Sequence, residues 1–188
     1  MLAKKTVLLF LCVASNFGDE DDAIFSKFFQ HDYDIKDIRI DGIDYNKDFI
    51  QDLYIVYRKY NRTTKAVNLT ALAFVDLTMN NNAVFIQVYK RYGNEFKQVP
   101  GRFAFKICQA LQGDVAGIST FTSGNISCPI KKNVRLSLSN WIPDFSHLPP
   151  LIPEGEYMAQ VNSTYQKQYL YKFNAFATVY RQVKIPKN

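Results

Sequence analysis

Hydrophobic and polar residues alternate through the middle of the chain. Between residues 67 and 79 every odd-numbered position is apolar, whereas the even-numbered ones include Asn68, Thr70 and Asp76. A period of two is typical of a β-strand with one buried and one solvated face. The pattern therefore predicts a strand over residues 67–79 whose odd-numbered side chains point into the core.

Turn residues separate this strand from its predicted neighbours. The run of asparagines at residues 80–82 predicts a turn, residues 83–91 form a second strand, and Gly93 with Asn94 turns the chain into a third strand near Phe96. These three strands predict an antiparallel meander.

Three further segments upstream and downstream have recognisable patterns. Residues 37–45 alternate around Asp41 and Gly42, which predicts a hairpin turn there, and residues 53–60 form an apolar, aromatic strand. Residues 102–111, between a Pro-Gly pair and a glycine, predict one short helix.

The last third of the chain also reads as strands. Val134, Leu136 and Leu138 alternate with polar residues, a loop punctuated by four prolines follows, and strands are predicted from Glu154 through Val161 and over residues 169–183. The chain as a whole is therefore expected to be all-β with one helix.

The first fifteen residues have the pattern of a secretory signal peptide. Lys4 and Lys5 precede a mostly apolar stretch over residues 6–14, and small residues suited to cleavage follow. The stretch is too short to span a bilayer, which takes about 20 apolar residues. We expect residues 1–15 to be removed and the mature protein to be secreted and extracellular.

Cysteines and sequons agree with export. Cleavage removes Cys12, which leaves Cys108 and Cys128 in an oxidising compartment, so one disulfide is expected. Two of the four Asn-x-Ser/Thr sequons follow inward-facing residues, so the strand register places their asparagines on solvated faces. The predicted glycosylation sites are Asn61, Asn68, Asn125 and Asn162.

Charge is unevenly distributed along the chain. The formal net charge is +6, but residues 15–52 hold eleven Asp or Glu against four Lys or Arg, whereas the chain from Leu53 onward holds six against seventeen. We expect the acidic part to lie against the basic remainder. No nucleic-acid partner is expected, because the chain has no nucleic-acid-binding motif, whereas contact with a membrane surface or a receptor stays open.

The sequence contains no catalytic or metal-binding pattern. His31 and His147 lack metal-ligand spacing, and no nucleophile elbow or phosphate-binding glycine loop occurs. Glu154 and Glu156 form a conceivable carboxylate pair for glycoside hydrolysis, but their proline and glycine neighbours favour a solvated turn. Trp141 is either a rim residue or ordinary packing. We expect neither enzymatic activity nor a cofactor or metal.

Motifs in the C-terminal third resemble a known family. A strand opened by Cys-Pro with lysines after it, a proline-containing crossing loop, and a Pro-x-Gly-x-Tyr entry to the next strand are similar to the ganglioside-activator or ML (lipid-recognition) superfamily. The similarity is greatest to its arthropod branch, a domain of unknown function that includes insect chemosensory proteins of the B type. That branch usually has a glycine where this chain has Lys132-Asn133. The motifs occur, in the branch's order, at residues 60–63, 67–70, 89–91, 107–108, 128–132 and 153–157.

The resemblance implies both a fold and a ligand. It implies an immunoglobulin-like antiparallel β-sandwich or β-cup with one short helix, formed by residues 16–188 as a single lipid-recognition-like domain. It also implies an interior that holds a lipid or another apolar small molecule, in a chemosensory or pheromone-related role.

Small residues on the predicted inner faces fit such an interior, because they leave room. The alternative is that phenylalanines and tyrosines of the facing sheet fill the space; the protein would then be an extracellular interaction module with a filled core. The expected pocket-lining residues are Ala71, Ala73, Val75, Val84, Ile86, Phe103, Ile107, Ile130, Leu136, Leu138, Tyr157, Ala159, Val161, Phe173, Ala175 and Ala177.

Overall fold

Two antiparallel β-sheets make up most of the computed structural model, which describes residues 32–118 and 123–181. Strand β1 lies at one edge of the larger sheet and pairs with the C-terminal strand. The elements of the described ranges are β1 (Asp34–Tyr45), β2 (Ile50–Lys59), β3 (Lys65–Ala73), β4 (Asn82–Tyr92), β5 (Glu95–Phe105), α1 (Ile107–Gln112), a 3-10 turn (Val115–Gly117), β6 (Ser123–Gly124), β7 (Arg135–Trp141), β8 (Gly155–Tyr165) and β9 (Gln168–Tyr180).

The larger sheet has the order β1-β9-β8-β4-β5 and the smaller one β2-β3-β7-β6. Every pairing is antiparallel. The all-β class, with antiparallel strands in a sandwich or cup and one short helix, is confirmed.

The predicted register of β3 is confirmed, but its predicted length is wrong. Val67, Ala71 and Ala73 are less than 10% exposed, as the alternation requires. The strand ends at Ala73 rather than at residue 79. The reason lies in polar side chains that replace strand pairing: Asp76 Oδ1 accepts the backbone N–H of Lys132, and the Asn81 side chain bonds the backbone of residues 76 and 78.

The hairpin turn predicted at Asp41 and Gly42 is wrong. Strand β1 continues through both residues, and the pairing with β9 shifts register between Asp41 and Asp44 and again between Lys36 and Arg39. Gly42 has a φ of +62°, which its missing Cβ permits. A glycine in an alternating strand here marks a β-bulge instead of a reversal.

The helix predicted over residues 102–111 is displaced. Residues 102–105 belong to β5, where Phe103 pairs with Ile86 and Phe105 with Val84 of β4. The helix starts at Ile107, whose N–H donates to Asn82 Oδ1. Strand pairing thus overrides the local helical pattern as far as Phe105.

A bulge interrupts the outer strand β5. Residues 99–101 oppose the single residue Val88 of β4, because Gln87 pairs with Arg102 and Tyr89 with Gln98. The Gln87 side-chain amide donates to the carbonyls of Val99 and Gly101. This side chain therefore satisfies backbone groups that the bulge removes from the ladder.

The remaining strand predictions agree with the structure within a few residues. Predicted strands 83–91, 53–60 and 154–161 correspond to β4, β2 and β8. The last strand ends at Tyr180; Val183 lies outside the described residues.

The expected disulfide joins Cys108 of α1 to Cys128, in the segment between β6 and β7. Three of the four ion pairs found in the described ranges link an acid of the N-terminal part to a later basic residue: Asp32 with Arg181, Asp44 with Lys172, and Asp52 with Arg135. These three acidic residues thus lie against the basic remainder, in the way that the charge pattern predicts.

Candidate functional site

The two ends of the sandwich differ in packing. At the end that we call the closed end, Ile50, Ala71 and Leu136 of the smaller sheet pack with Leu170 at the start of β9. Tyr165, at the end of β8, packs against the same cluster. This packing fixes the alignment of the two sheets, so the opposite ends of the same strands lie together at the other end of the sandwich. There β2 and β4 end, and β3, β5 and β8 begin. We call this the open end.

Small side chains line the inner face of the larger sheet toward the open end. Ala159 of β8 lies opposite Ala175 of β9 on one side and Val88 of β4 on the other, and Ala177 lies opposite Tyr157. These five residues, the three alanines with Val88 and Tyr157, face the smaller sheet, but each of them is partly exposed. The facing sheet therefore does not cover this area completely.

The sixteen residues predicted to line a pocket fall into two groups. The first group belongs to or contacts the buried core: Ala71, Ala73, Val75, Val84, Ile107, Ile130, Leu136, Leu138 and Val161. The second group lies on the inner face of the larger sheet and is partly exposed: Ile86, Phe103, Tyr157, Ala159, Phe173, Ala175 and Ala177, of which Phe173 also packs against the cluster of Ile55, Val67 and Leu138.

Val88 and Lys90 also lie on this inner face, on β4, and the sequence alone did not identify them as site residues. Their two-residue spacing from Ile86 would have included both if the alternation had been followed to the end of the strand. Lys90 was overlooked because its charge suggests a solvated face.

A loop between β7 and β8 and the segment before β1 cover the β1–β9 side of the open end. The Tyr33 hydroxyl donates to the carbonyl of Pro149 at 2.8 Å, and the N–H of Leu151 donates to Asp32 at 2.9 Å. Arg181 bonds both Asp32 and the carbonyl of Ile152. Tyr33 is 4% exposed, and this burial, followed by the Asp32 charge, raises its pKa to about 12.

The four sequons differ in their surroundings. Asn61 is exposed in the β2–β3 turn, where its Oδ1 accepts two backbone N–H groups. Asn125 is also exposed, but its side chain hydrogen-bonds the backbone of β7 through both its amide nitrogen and its oxygen. Asn68 and Asn162 point away from the facing sheet, on the side of their strands that the alternation predicts.

The acidic and imidazole groups do not form a metal-binding cluster in the part of the chain that the structure describes. Among the described residues, no three His, Cys, Asp or Glu side chains could hold an ion. Glu154 accepts the backbone N–H that follows β9, whereas Glu156 forms an ion pair with Arg91 of β4. His147 lies in the β7–β8 loop, and His31 lies outside the described residues.

Trp141 takes part in ordinary packing: its indole N–H donates to the carbonyl of Ala116 at 3.0 Å, and its ring contacts the cluster of Ile55, Val67 and Leu138. Across the described ranges, no helix has the length and apolar character that a membrane crossing requires.

The outer face of the larger sheet has a concavity of about 320 Å³. There Phe96 of β5 meets Phe176 of β9 with ring centroids 5.6 Å apart, and the Arg39 guanidinium lies 4.3 Å from the Phe176 centroid. Arg91 and Glu156 pair beside them at 2.7 Å. Aromatic and arginine side chains are enriched where proteins contact one another, so this concavity is a second candidate site.

The chain has Lys132-Asn133 after the Cys-Pro lysine, where the resembled branch usually has a glycine, and the backbone geometry explains this difference. Asn133 has a φ of +59°, the left-handed conformation that glycine favours and that asparagine tolerates. Its N–H donates to the carbonyl of Ala73 at 2.7 Å. Asparagine thus makes the turn that a glycine would make.

Comparison with known protein families gives a match to part of the chain. A family model described as "Protein of unknown function (DUF1091)" matches residues 84–159, from β4 into the first half of β8. No curated protein matches the chain.

Proposed function

We propose that this chain is a secreted, glycosylated binding protein that holds an apolar small molecule or lipid between its two sheets, at the open end, and has no enzymatic activity. The observation that carries the proposal is the partial exposure of two small inner-face residues, Ala159 and Ala175, in a sandwich whose other end is close-packed. A ligand that removes such apolar surface from water gains about 25 cal/mol of binding free energy per Å².

Membership of the arthropod branch of the ML superfamily is part of the same proposal. The match of residues 84–159 to a family of unknown function supports it, since that segment contains the helix, both disulfide cysteines and the Pro-x-Gly-x-Tyr motif. A chemosensory or pheromone-related role follows from the resemblance only, and fold-level analogy is a weak guide to function.

Export is proposed from the signal-like N-terminus, the sequons and the disulfide. Disulfides persist in oxidising compartments. N-terminal sequencing of protein collected from the medium of eukaryotic cells should begin after Ala14 or Ser15, and glycosidase treatment should lower the apparent mass. Retention of the chain inside the cells with no change of mass would refute this part.

The binding proposal is tested by mass spectrometry of organic extracts of the secreted protein, followed by binding of fatty acids, sterols and hydrocarbons to the stripped protein. Ala159→Leu adds volume to the inner face, so we expect it to weaken binding by about tenfold or more. Ala104→Leu is the matched control, because Ala104 is an exposed alanine on the outer face of β5. If nothing copurifies and no member of the panel binds, the proposal fails.

The concavity on the outer face favours a second candidate, an extracellular interaction module with a filled core. A protein partner bound there would be lost on Phe176→Ala, which removes the ring that Phe96 and Arg39 contact. The same partner would be retained in Ala159→Leu. The two variants therefore separate the two functions.

A further inference from the structure

Two pairs of lysines lie directly opposite each other across neighbouring strands. Lys59 of β2 pairs with Lys65 of β3 in the smaller sheet, and Lys90 of β4 pairs with Lys97 of β5 in the larger one. Like charges in directly opposed cross-strand positions are destabilising. Each sheet carries one such pair, and both stand at the open end.

All four lysines project from the faces that the two sheets turn toward each other. Lys59 and Lys65 continue the inner-face row that contains the buried Ile55 and Val67. On the larger sheet, Val88 lies opposite Ala159 on the inner face. Lys90 follows two residues later on the same face, opposite Tyr157. Both pairs therefore lie on inner-face rows at the open end and not on the outer faces of the sheets.

Tyrosine rings hold two of the ammonium groups. Lys90 Nζ lies 5.5 Å from the Tyr157 centroid and 5.8 Å from that of Tyr92, and Lys65 Nζ lies 5.9 Å from that of Tyr57. These distances are within the range of a cation–π contact. Such contacts position a cation without neutralising it.

Gly155 provides the space for Lys90. A Cβ at this position would lie 3.1 Å from Lys90 Cε, and the φ of +138° also disfavours other residues. The Pro-x-Gly-x-Tyr motif therefore has a local explanation: its glycine admits the lysine stem, and its tyrosine lies against the ammonium group.

None of the four lysines forms an ion pair with an acidic residue in the described ranges; the ion pairs found there involve Arg91, Arg135, Lys172 and Arg181. Four cations at one end, brought into repulsive pairs and without a protein carboxylate, form a site that an anion would stabilise.

We propose that the bound ligand is an amphiphile with an anionic head group, a carboxylate or a phosphate, which Lys90 and Lys97 bind at the open end while the apolar chain lies along Val88, Ala159 and Ala175. This inference rests on the proposed function, since it specifies the polar end of the ligand held in that space. An ammonium group recognises either anion as a point charge.

The test compares three ligands with the same sixteen-carbon chain: palmitate, hexadecyl phosphate and hexadecanol. Binding is measured at low salt, with protein from which copurified ligand has been removed. Each ligand is kept below the concentration at which it forms micelles or other aggregates. We expect at least one of the two anions to bind about tenfold more tightly than the alcohol, the scale of one charge-assisted hydrogen bond. We also expect this preference to shrink as salt is added, because the lysines of the open end are partly solvated.

The double variant Lys90→Met, Lys97→Met should bind the alcohol as the wild type does but lose the preference for the anion. Lys167→Met is the control: this exposed lysine lies in the β8–β9 turn at the closed end and should leave the preference unchanged. Unaltered alcohol binding by the double variant also shows that it has folded.

The outcomes separate the inference from the proposed function. If the wild type binds all three ligands with equal affinity, or if the double variant keeps the preference, the inference is overturned while apolar binding stands. If the wild type binds none of the three, nor any other member of the apolar panel, both fail. Preference for only one anion supports the inference and identifies the head group.

Discussion

Replacing Leu170 by alanine tests the packing of the closed end. Leu170 is 0% exposed and contacts a cluster that includes Ile50, Leu136 and Ile130. Truncating a fully buried leucine removes its transfer free energy and leaves a cavity that the neighbours fill only in part, at a cost of roughly 2–5 kcal/mol. Because both sheets contribute to this cluster, we expect little collapse and a loss of about 3 kcal/mol.

Urea unfolding measures this loss. With an m value of about 2 kcal/mol/M, typical of a small protein, a loss of about 3 kcal/mol lowers the midpoint by roughly 1.5 M. Leu72→Ala is the matched control, because Leu72 is a half-buried leucine on the outer face of β3, opposite Asp52 and Arg135. We expect the control to cost no more than about 1 kcal/mol. If Leu170→Ala cost less than the control, the description of a close-packed closed end would be wrong.

Two further predictions concern stability. The double variant Cys108→Ala, Cys128→Ala opens a loop with a sequence separation of 20 residues. In the chain-entropy model it should lower the free energy of unfolding by about 3 kcal/mol. Reduction of the wild type by dithiothreitol should cause a similar loss, and a change below about 1 kcal/mol would contradict the expectation. Burial raises the pKa of Tyr33 to about 12 from an ordinary value of 10, so its contribution to stability is complete below pH 10 and is lost as the pH rises toward 12. Thermal unfolding followed across this window should show a smaller alkaline loss for Tyr33→Phe than for the wild type, and an identical loss in both would refute this role of Tyr33.

The sequence was sufficient for those features that depend on local alternation. The period of two in β3 gave the inward positions Ala71 and Ala73, and the same rule placed Asn68 on the outer face. These predictions succeed because successive strand residues point to opposite faces whatever the partner strand is.

Features that depend on pairing between distant segments could not be predicted. Gly42 is compatible with a hairpin turn or a bulge, and only the alignment of β1 with β9 decides between them. Phe103 and Phe105 fit a strand as well as a helix until β4 lies beside them.

The lysines of the open end were missed for a different reason, because their pattern and their turn are local. Lys90 and Lys97 are neighbours because the two-residue turn at Gly93 and Asn94 joins β4 to β5, which places residue 90 opposite residue 97. A local reading gives each of them a solvated face, which is where an isolated lysine normally lies.

The irregular edges of the larger sheet have a consequence for self-association. Strand β1 is interrupted by two bulges, and β5 carries Pro100, which has no N–H to donate, within its own bulge. Neither edge offers a long straight row of free backbone groups on which the strand of a second molecule could align. We therefore expect neither edge of the larger sheet to act as a template on which a strand of a second molecule adds.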